Sequence, residues 1–182
     1  MERATTTWAI RPEQHADHEE IGDVVAAAFG SRVQRDLVDR IRASSTYIPH
    51  LALVAEVGGA IVGHVMVSGA ILRSEAGDRT IAMLSPLAVA PDHQGVGIGG
   101  ALVRTALQAA DRRGEPLVVL EGSPRYYPRF GFVPAVPHGI HIDLPSWASP
   151  EAAQVALLGS YRPDDPTLRG QVVHPPAFDG LD

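Results

Sequence analysis

The segment that most restricts how this chain can fold is Gln94–Gly100, QGVGIGG, set between a β-type run and an amphipathic helical stripe. Glycine removes side chains that would block close approach and permits φ values that other residues avoid. The first turn of a helix carries unpaired N–H groups and the positive end of the macrodipole. A strand, a glycine loop and a helix in that order therefore make a cradle for an anion, and a pyrophosphate is the expected guest.

The surrounding pattern supplies the elements. A first strand is expected near Thr6–Arg11. Asp17 is placed to cap the next helix with Glu20 as its capping-box partner. Ile21, Val24, Val25, Ala28 and Phe29 repeat at helical spacing, and Gly30 stops the helix. Val33, Leu37 and Ile41 mark a second helix between Arg32 and Arg42. LALVAEV and AIVGHVMV, separated by Gly58–Gly59, read as a β-hairpin whose second strand continues toward Leu72. A polar loop at Arg73–Arg79 leads to a strand over Thr80–Ala90. Pro86 interrupts that strand. Proline cannot donate to a β ladder, so a bulge or break is expected near Ser85–Leu87, with backbone groups beyond it left free.

After the glycine loop, Ile98, Ala101, Leu102, Thr105 and Ala109 form a helical stripe that Gly114 is placed to end. Leu117–Glu121 is a short buried strand, and a strand–helix–strand crossover favours parallel pairing. A helical turn or loop at Pro124–Phe130 precedes Phe132–Ala135. Residues 137–182 are rich in proline, and their apolar stretch Ala152–Leu158 is read as a short helix. The expected organisation is one domain over 1–182, with a core at about 6–136 and an extension at 137–182 packed on it.

Composition excludes several functions. There is no cysteine, hence no disulfide, no cysteine nucleophile and no thiolate zinc site. The N-terminal MERATTTW lacks the apolar core of a signal peptide, and no apolar run is long enough to span a membrane, so a cytoplasmic location is expected. A net charge of −6 argues against nucleic acid as the main partner. His15/His18 and His138/His141 are lone pairs without a third ligand, so no metal site is expected.

Two readings of the loop compete. Gly95, Gly97 and Gly100 satisfy G-x-G-x-x-G, and Glu121 falls about 20 residues further on, where a dinucleotide fold places a ribose-binding acid. Against a nucleotide-dependent oxidoreductase, Pro91–Gln94 intervene between strand and first glycine, and too little chain remains for a second half-fold. The other reading is Q-x-x-G-x-G, through Gln94, Gly97 and Gly99. LSPLAVAPDHQGVGIGGALVRTAL resembles the acetyl-CoA-binding motif of the GNAT superfamily of N-acetyltransferases, and YYPRFGFVPA resembles the tyrosine-containing segment of the same family. The group most similar is bacterial and includes a tail like VVHPPAF.

The resemblance implies an α/β fold of the α+β type: a mixed, mostly antiparallel sheet splayed between its fourth and fifth strands, flanked by helices. It implies acetyl-CoA as cosubstrate, held by Leu87, Ala88 and Val89 along the pantetheine arm and by Gln94, Gly95, Val96, Gly97, Ile98, Gly99 and Gly100 at the pyrophosphate. Val96 stands where the family often has a basic residue, which removes one side-chain contact to phosphate. The acceptor would be an amine, of a small molecule or a protein, with neither nucleic acid nor membrane as partner; a homodimer is compatible with the sequence. A module that holds acyl-CoA without catalysis is the alternative.

Acetyl transfer needs a polarised thioester, a neutral amine and a stabilised thiolate. Tyr127, four residues before Gly131, occupies the position of the general acid in many GNAT enzymes, and a phenol can protonate a thiolate. Tyr126 is read as a structural neighbour. A lysine-like amine is neutral in only about one molecule in a thousand at pH 7, so a base is needed. Glu56, His64 and Glu121 are the candidates, and Glu121, at the end of a buried strand beside the expected splay, is preferred. Arg125 and Arg129 flank the tyrosines within reach of phosphate or substrate.

Overall fold

A computed structural model describes residues 6–181; the first five residues of MERATTTW lie outside it. Twelve regular elements follow in chain order: β1 (Ala9–Pro12), α1 (His18–Phe29), α2 (Val33–Arg42), β2 (Ala52–Val57), β3 (Ala60–Ser74), β4 (Gly77–Val89), α3 (Ile98–Arg112), β5 (Leu117–Glu121), β6 (Val133–Pro134), β7 (Ile140–His141), β8 (Ala153–Leu157) and β9 (Gly170–Val173). The sheet runs β1-β2-β3-β4-β5-β8-β6; β9 pairs with the far half of β3 and with β7. Every pairing along the main path is antiparallel except β4–β5, which the α3 crossover makes parallel.

Strand alternation divides the core. On β2, Leu53 and Ala55 face α3, packing with Ile98, Leu102, Val103 and Ala106. Val54 faces the opposite side with Ile21, Val24 and Val25 of α1, while Ala52 and Met66 meet Leu37, Val38 and Ile41 of α2. Helices thus cover both faces, which is why the centre of β3 is buried at every position from Ile61 to Ala70.

Three local expectations change. The polar stretch at 73–79 is no long loop: β3 and β4 run on past the core as a hairpin pairing Ser74 with Gly77. Ala153–Leu157 is a strand, not a helix, because β5 offers it an edge along five residues, Leu117↔Leu157 to Glu121↔Ala153. Asp17 does not cap α1 through a capping box. Arg11 takes its carboxylate at 2.7 and 2.9 Å, and Glu20 instead accepts from the Ile61 N–H at 2.8 Å. For Ala153–Leu157 and for Glu20 a partner distant in sequence outweighs a local preference.

Candidate functional site

The bulge expected at Pro86 is present. Between Val65↔Leu87 and Val67↔Leu84, β4 carries one residue more than β3. On its other side β4 touches β5 only at Ala82↔Val118 and Met83↔Val119, and the two strands then part. The Ala90 N–H donates to Val62 O at 2.8 Å, toward β3. By strand alternation the N–H groups of Leu87 and Val89 point the other way, into the gap. Gln94 Nε2 reaches the same side and donates to Val89 O at 2.9 Å.

Below this gap α3 begins. Gly97, at φ 102°, makes the left-handed turn that only glycine adopts freely. No side chain caps the helix, and its first intrahelical bond is from the Ala101 N–H to Gly97 O. The N–H groups of Ile98, Gly99 and Gly100 are therefore free for an anion. Gly99 is also a clearance point, since a Cβ there would lie 2.8 Å from the Tyr126 hydroxyl.

These parts enclose a groove of about 520 Å³. Leu87, Val89, Gln94, Gly95, Gly97, Ile98, Gly99 and Gly100 line it. Ala88 and Val96 do not. Ala88 turns to the α1 face, leaving only its backbone beside the groove, and Val96 is an exposed loop side chain. Arg104 and Arg129 supply positive charge at the groove wall. Arg104 stacks over Phe130 at 4.9 Å and Arg129 over Tyr126 at 4.8 Å. Arg104 escaped the sequence reading, although its spacing from Gly100 puts both on one helical face.

A second cavity, of about 510 Å³, meets the groove at Leu87 and Tyr126, which line both. Tyr127, Glu121, Ser85 and Pro86 lie on it. Tyr127 packs edge-on against Tyr126 and Phe132, with ring centroids at 5.0 and 5.7 Å. Burial pushes its phenol up to about 12, so it holds its proton across the physiological range. A Cβ on Gly122 would lie 2.5 Å from the Tyr127 ring, so that glycine permits the tyrosine's position. Tyr126 stands at the junction of groove and cavity.

Glu121 has company. His174, carried by the C-terminal segment VVHPPAF, brings Nε2 to 3.2 Å from Glu121 Oε1. The other two candidate bases lie elsewhere. Glu56 is held by Arg11 at 2.5 and 2.9 Å. His64 is fully buried with Nε2 3.0 Å from Glu13 Oε2, and burial lowers its pKa. Arg125 lines neither hollow. Among the described residues no three His, Asp or Glu side chains are grouped to hold a metal ion.

A splayed sheet, an anion cradle at a helix start and an adjoining cavity together make up the candidate site. The chain belongs to the GNAT acetyltransferase family: the acetyltransferase (GNAT) domain matches residues 9–135. It is 36% identical over 119 residues to the uncharacterised N-acetyltransferase YjhQ of Escherichia coli K12, covering 65% of this chain and 66% of that one. A GNAT family acetyltransferase from Brucella melitensis, in complex with acetyl-CoA, superposes with a TM-score of 0.75 at 30% identity, over 96% of this chain and 99% of that one. The E. coli acetyltransferase YhbS, in complex with CoA, gives a TM-score of 0.78 at 27% identity, over 98% and 94%.

Proposed function

We propose that this chain binds acetyl-CoA in the groove and moves the acetyl group directly to a primary amine held in the second cavity. The observation that carries this reading is the meeting of the two hollows at Leu87 and Tyr126. A module that only stored an acyl-CoA would need no second cavity opening onto the groove. Acetyl-CoA supplies an activated thioester and a pyrophosphate. The free N–H groups of α3, together with Arg104 and Arg129, suit the pyrophosphate, and the Leu87 and Val89 N–H groups suit an extended amide arm. Tyr127 donates its proton toward the departing sulfur, and Glu121 accepts a proton from the amine. With no cysteine in the chain, the acetyl group has no thiol on which to pause. The site of action is the cytoplasm.

Thermal melting tests the first half. At a hundredfold excess over its Kd, a ligand specific for the folded state adds about 2.7 kcal/mol. For a chain of this size that raises Tm by about 5–10 °C. Acetyl-CoA is expected to do this and NAD is not. Gly99→Leu, which fills the groove against Tyr126, is expected to abolish the shift while leaving the unliganded Tm within a few degrees. Stabilisation by NAD alone would overturn the reading. An acetyl-CoA consumption assay over a panel of amines tests the second half. The chain contains no lysine, its 15 basic side chains all being arginine, so acetyl label on a lysine comes from an added acceptor.

A further inference from the structure

The acceptor cavity does not end at Glu121. Glu121, His174, Phe178 and Leu181 also line a third hollow, of about 630 Å³, that opens under the segment Leu144–Trp147. These four residues therefore form the neck between an inner and an outer chamber. His174, Phe178 and Leu181 belong to the C-terminal segment, so that segment builds most of the neck. The ring of Phe178 lies 5.3 Å from that of His174 and holds it in place.

The chemistry of the two chambers is one-sided. Leu37, Met83 and Leu84 give the inner chamber apolar walls. Its acidic side chain is Glu121, and Gln34 adds a buried amide oxygen without a hydrogen-bond partner. The outer chamber adds Asp143 and Asp179. Among the described residues no arginine lines either chamber, and the chain has no lysine. Such a site offers carboxylates to an ammonium and neither lysine nor arginine to a carboxylate or phosphate.

We propose that Glu121 and His174 form a proton-relay pair at the neck, and that the acceptor is a primary amine on an apolar body bearing no anionic group. This deepens the acetyl-transfer reading and rests on it. The acceptor enters as an ammonium. As the C–N bond forms and the C–S bond breaks, sulfur takes the electron pair and receives the Tyr127 proton. The nitrogen sheds two protons. One restores Tyr127, and the other passes to Glu121, then to His174, and out to water in the outer chamber. The His174 side chain is 29% exposed, so its ring touches both Glu121 and solvent.

Matched amines test the acceptor class. Tryptamine and phenethylamine are compared with tryptophan and phenylalanine, which differ by one carboxylate. The expected kcat/KM favours the amines at least tenfold, since Glu121 repels a carboxylate placed beside it. Titration calorimetry into the CoA-saturated protein should give binding for tryptamine and none for tryptophan. Equal use of both members of a pair would overturn the class, as would acetyl-CoA turnover with neither amine. For the relay, His174→Ala is expected to lower kcat at least tenfold with KM for acetyl-CoA unchanged, and free imidazole should restore part of the rate. His174→Gln, closer in size, serves if the alanine variant melts early. Full activity in either variant, or a loss that imidazole leaves untouched, would overturn the relay. Failure of acetyl-CoA to bind at all would instead sink the acetyl-transfer reading itself.

Discussion

Tyr127→Phe is expected to lower kcat for acetyl transfer by about 100-fold or more, the size of effect typical of a lost general acid or a lost donor to developing negative charge. KM for acetyl-CoA should stay within about twofold. The ring keeps its edge-on contacts with Tyr126 and Phe132, and the groove is lined by other residues. The separation matters, because a residue that served only packing would show in Tm and not in kcat. The pH behaviour gives a second check. A phenol pushed up to about 12 by burial is protonated in the folded state well above the unfolded value near 10. Tyr127 thus contributes stability that is intact below about pH 10 and lost as pH rises toward 12. That alkaline loss should shrink in Tyr127→Phe. Stopped-flow turnover and melting at pH 9–12 measure the two effects.

Glu13→Ala is expected to be strongly destabilising, costing about 3 kcal/mol and lowering Tm by about 10 °C. The Glu13 side chain is fully enclosed between β1 and α1. It accepts from Arg42 Nε and Nη2 at 2.8 and 2.9 Å, from the Tyr47 hydroxyl at 2.7 Å, and lies 3.0 Å from His64 Nε2. Removing it leaves an arginine whose side chain is only 8% exposed with Asp39, at 2.9 Å, as its remaining carboxylate partner. Burial opposes ionisation of Glu13, but Arg42, then His64 and Tyr47, outweigh it and hold the carboxyl far below the usual carboxylate range. His64 is kept neutral by burial. Both groups make acid destabilising. The unfolded chain binds a proton at histidine as pH drops through about 6.5, while folded His64 does not. Below about pH 4.3 the unfolded glutamate is protonated and the folded one is not. Tm should therefore fall from pH 7.5 to 5, and fall further toward pH 3. The lower limb should be shallower in Glu13→Ala, with Asp17, held low by Arg11, supplying part of what remains.

Much of the site is legible in the chain because its parts are local. Pro86 lacks a donor wherever it sits, so it disrupts its strand. The glycines at 97 and 99 are required by backbone geometry and clearance that neighbouring residues impose. What escapes a sequence reading depends on partners far along the chain. AQVAL has no periodicity that separates a short buried strand from a helix, and only the edge of β5 decides it. Asp17 and Glu20 have capping spacing, yet Arg11 and the Ile61 N–H claim them. Glu13 sits unremarkably in RPEQH, and nothing near it announces that Arg42, Tyr47 and His64 will surround it. His174 was visible within VVHPPAF as composition, but its meeting with Glu121 follows from 52 intervening residues folding back onto the sheet.

The insertion of β8 between β5 and β6 also sets an order of events at the ribosome. β5 is synthesised before its antiparallel neighbour; β8 begins only at Ala153, after β6 has also been made. At about 5–20 residues per second, the edge of β5 waits roughly 2–7 s for its partner. During that interval a wholly apolar strand edge, LVVL, is open to pairing with other nascent chains. Slow codons between 122 and 152 should raise the insoluble fraction, and faster ones should lower it.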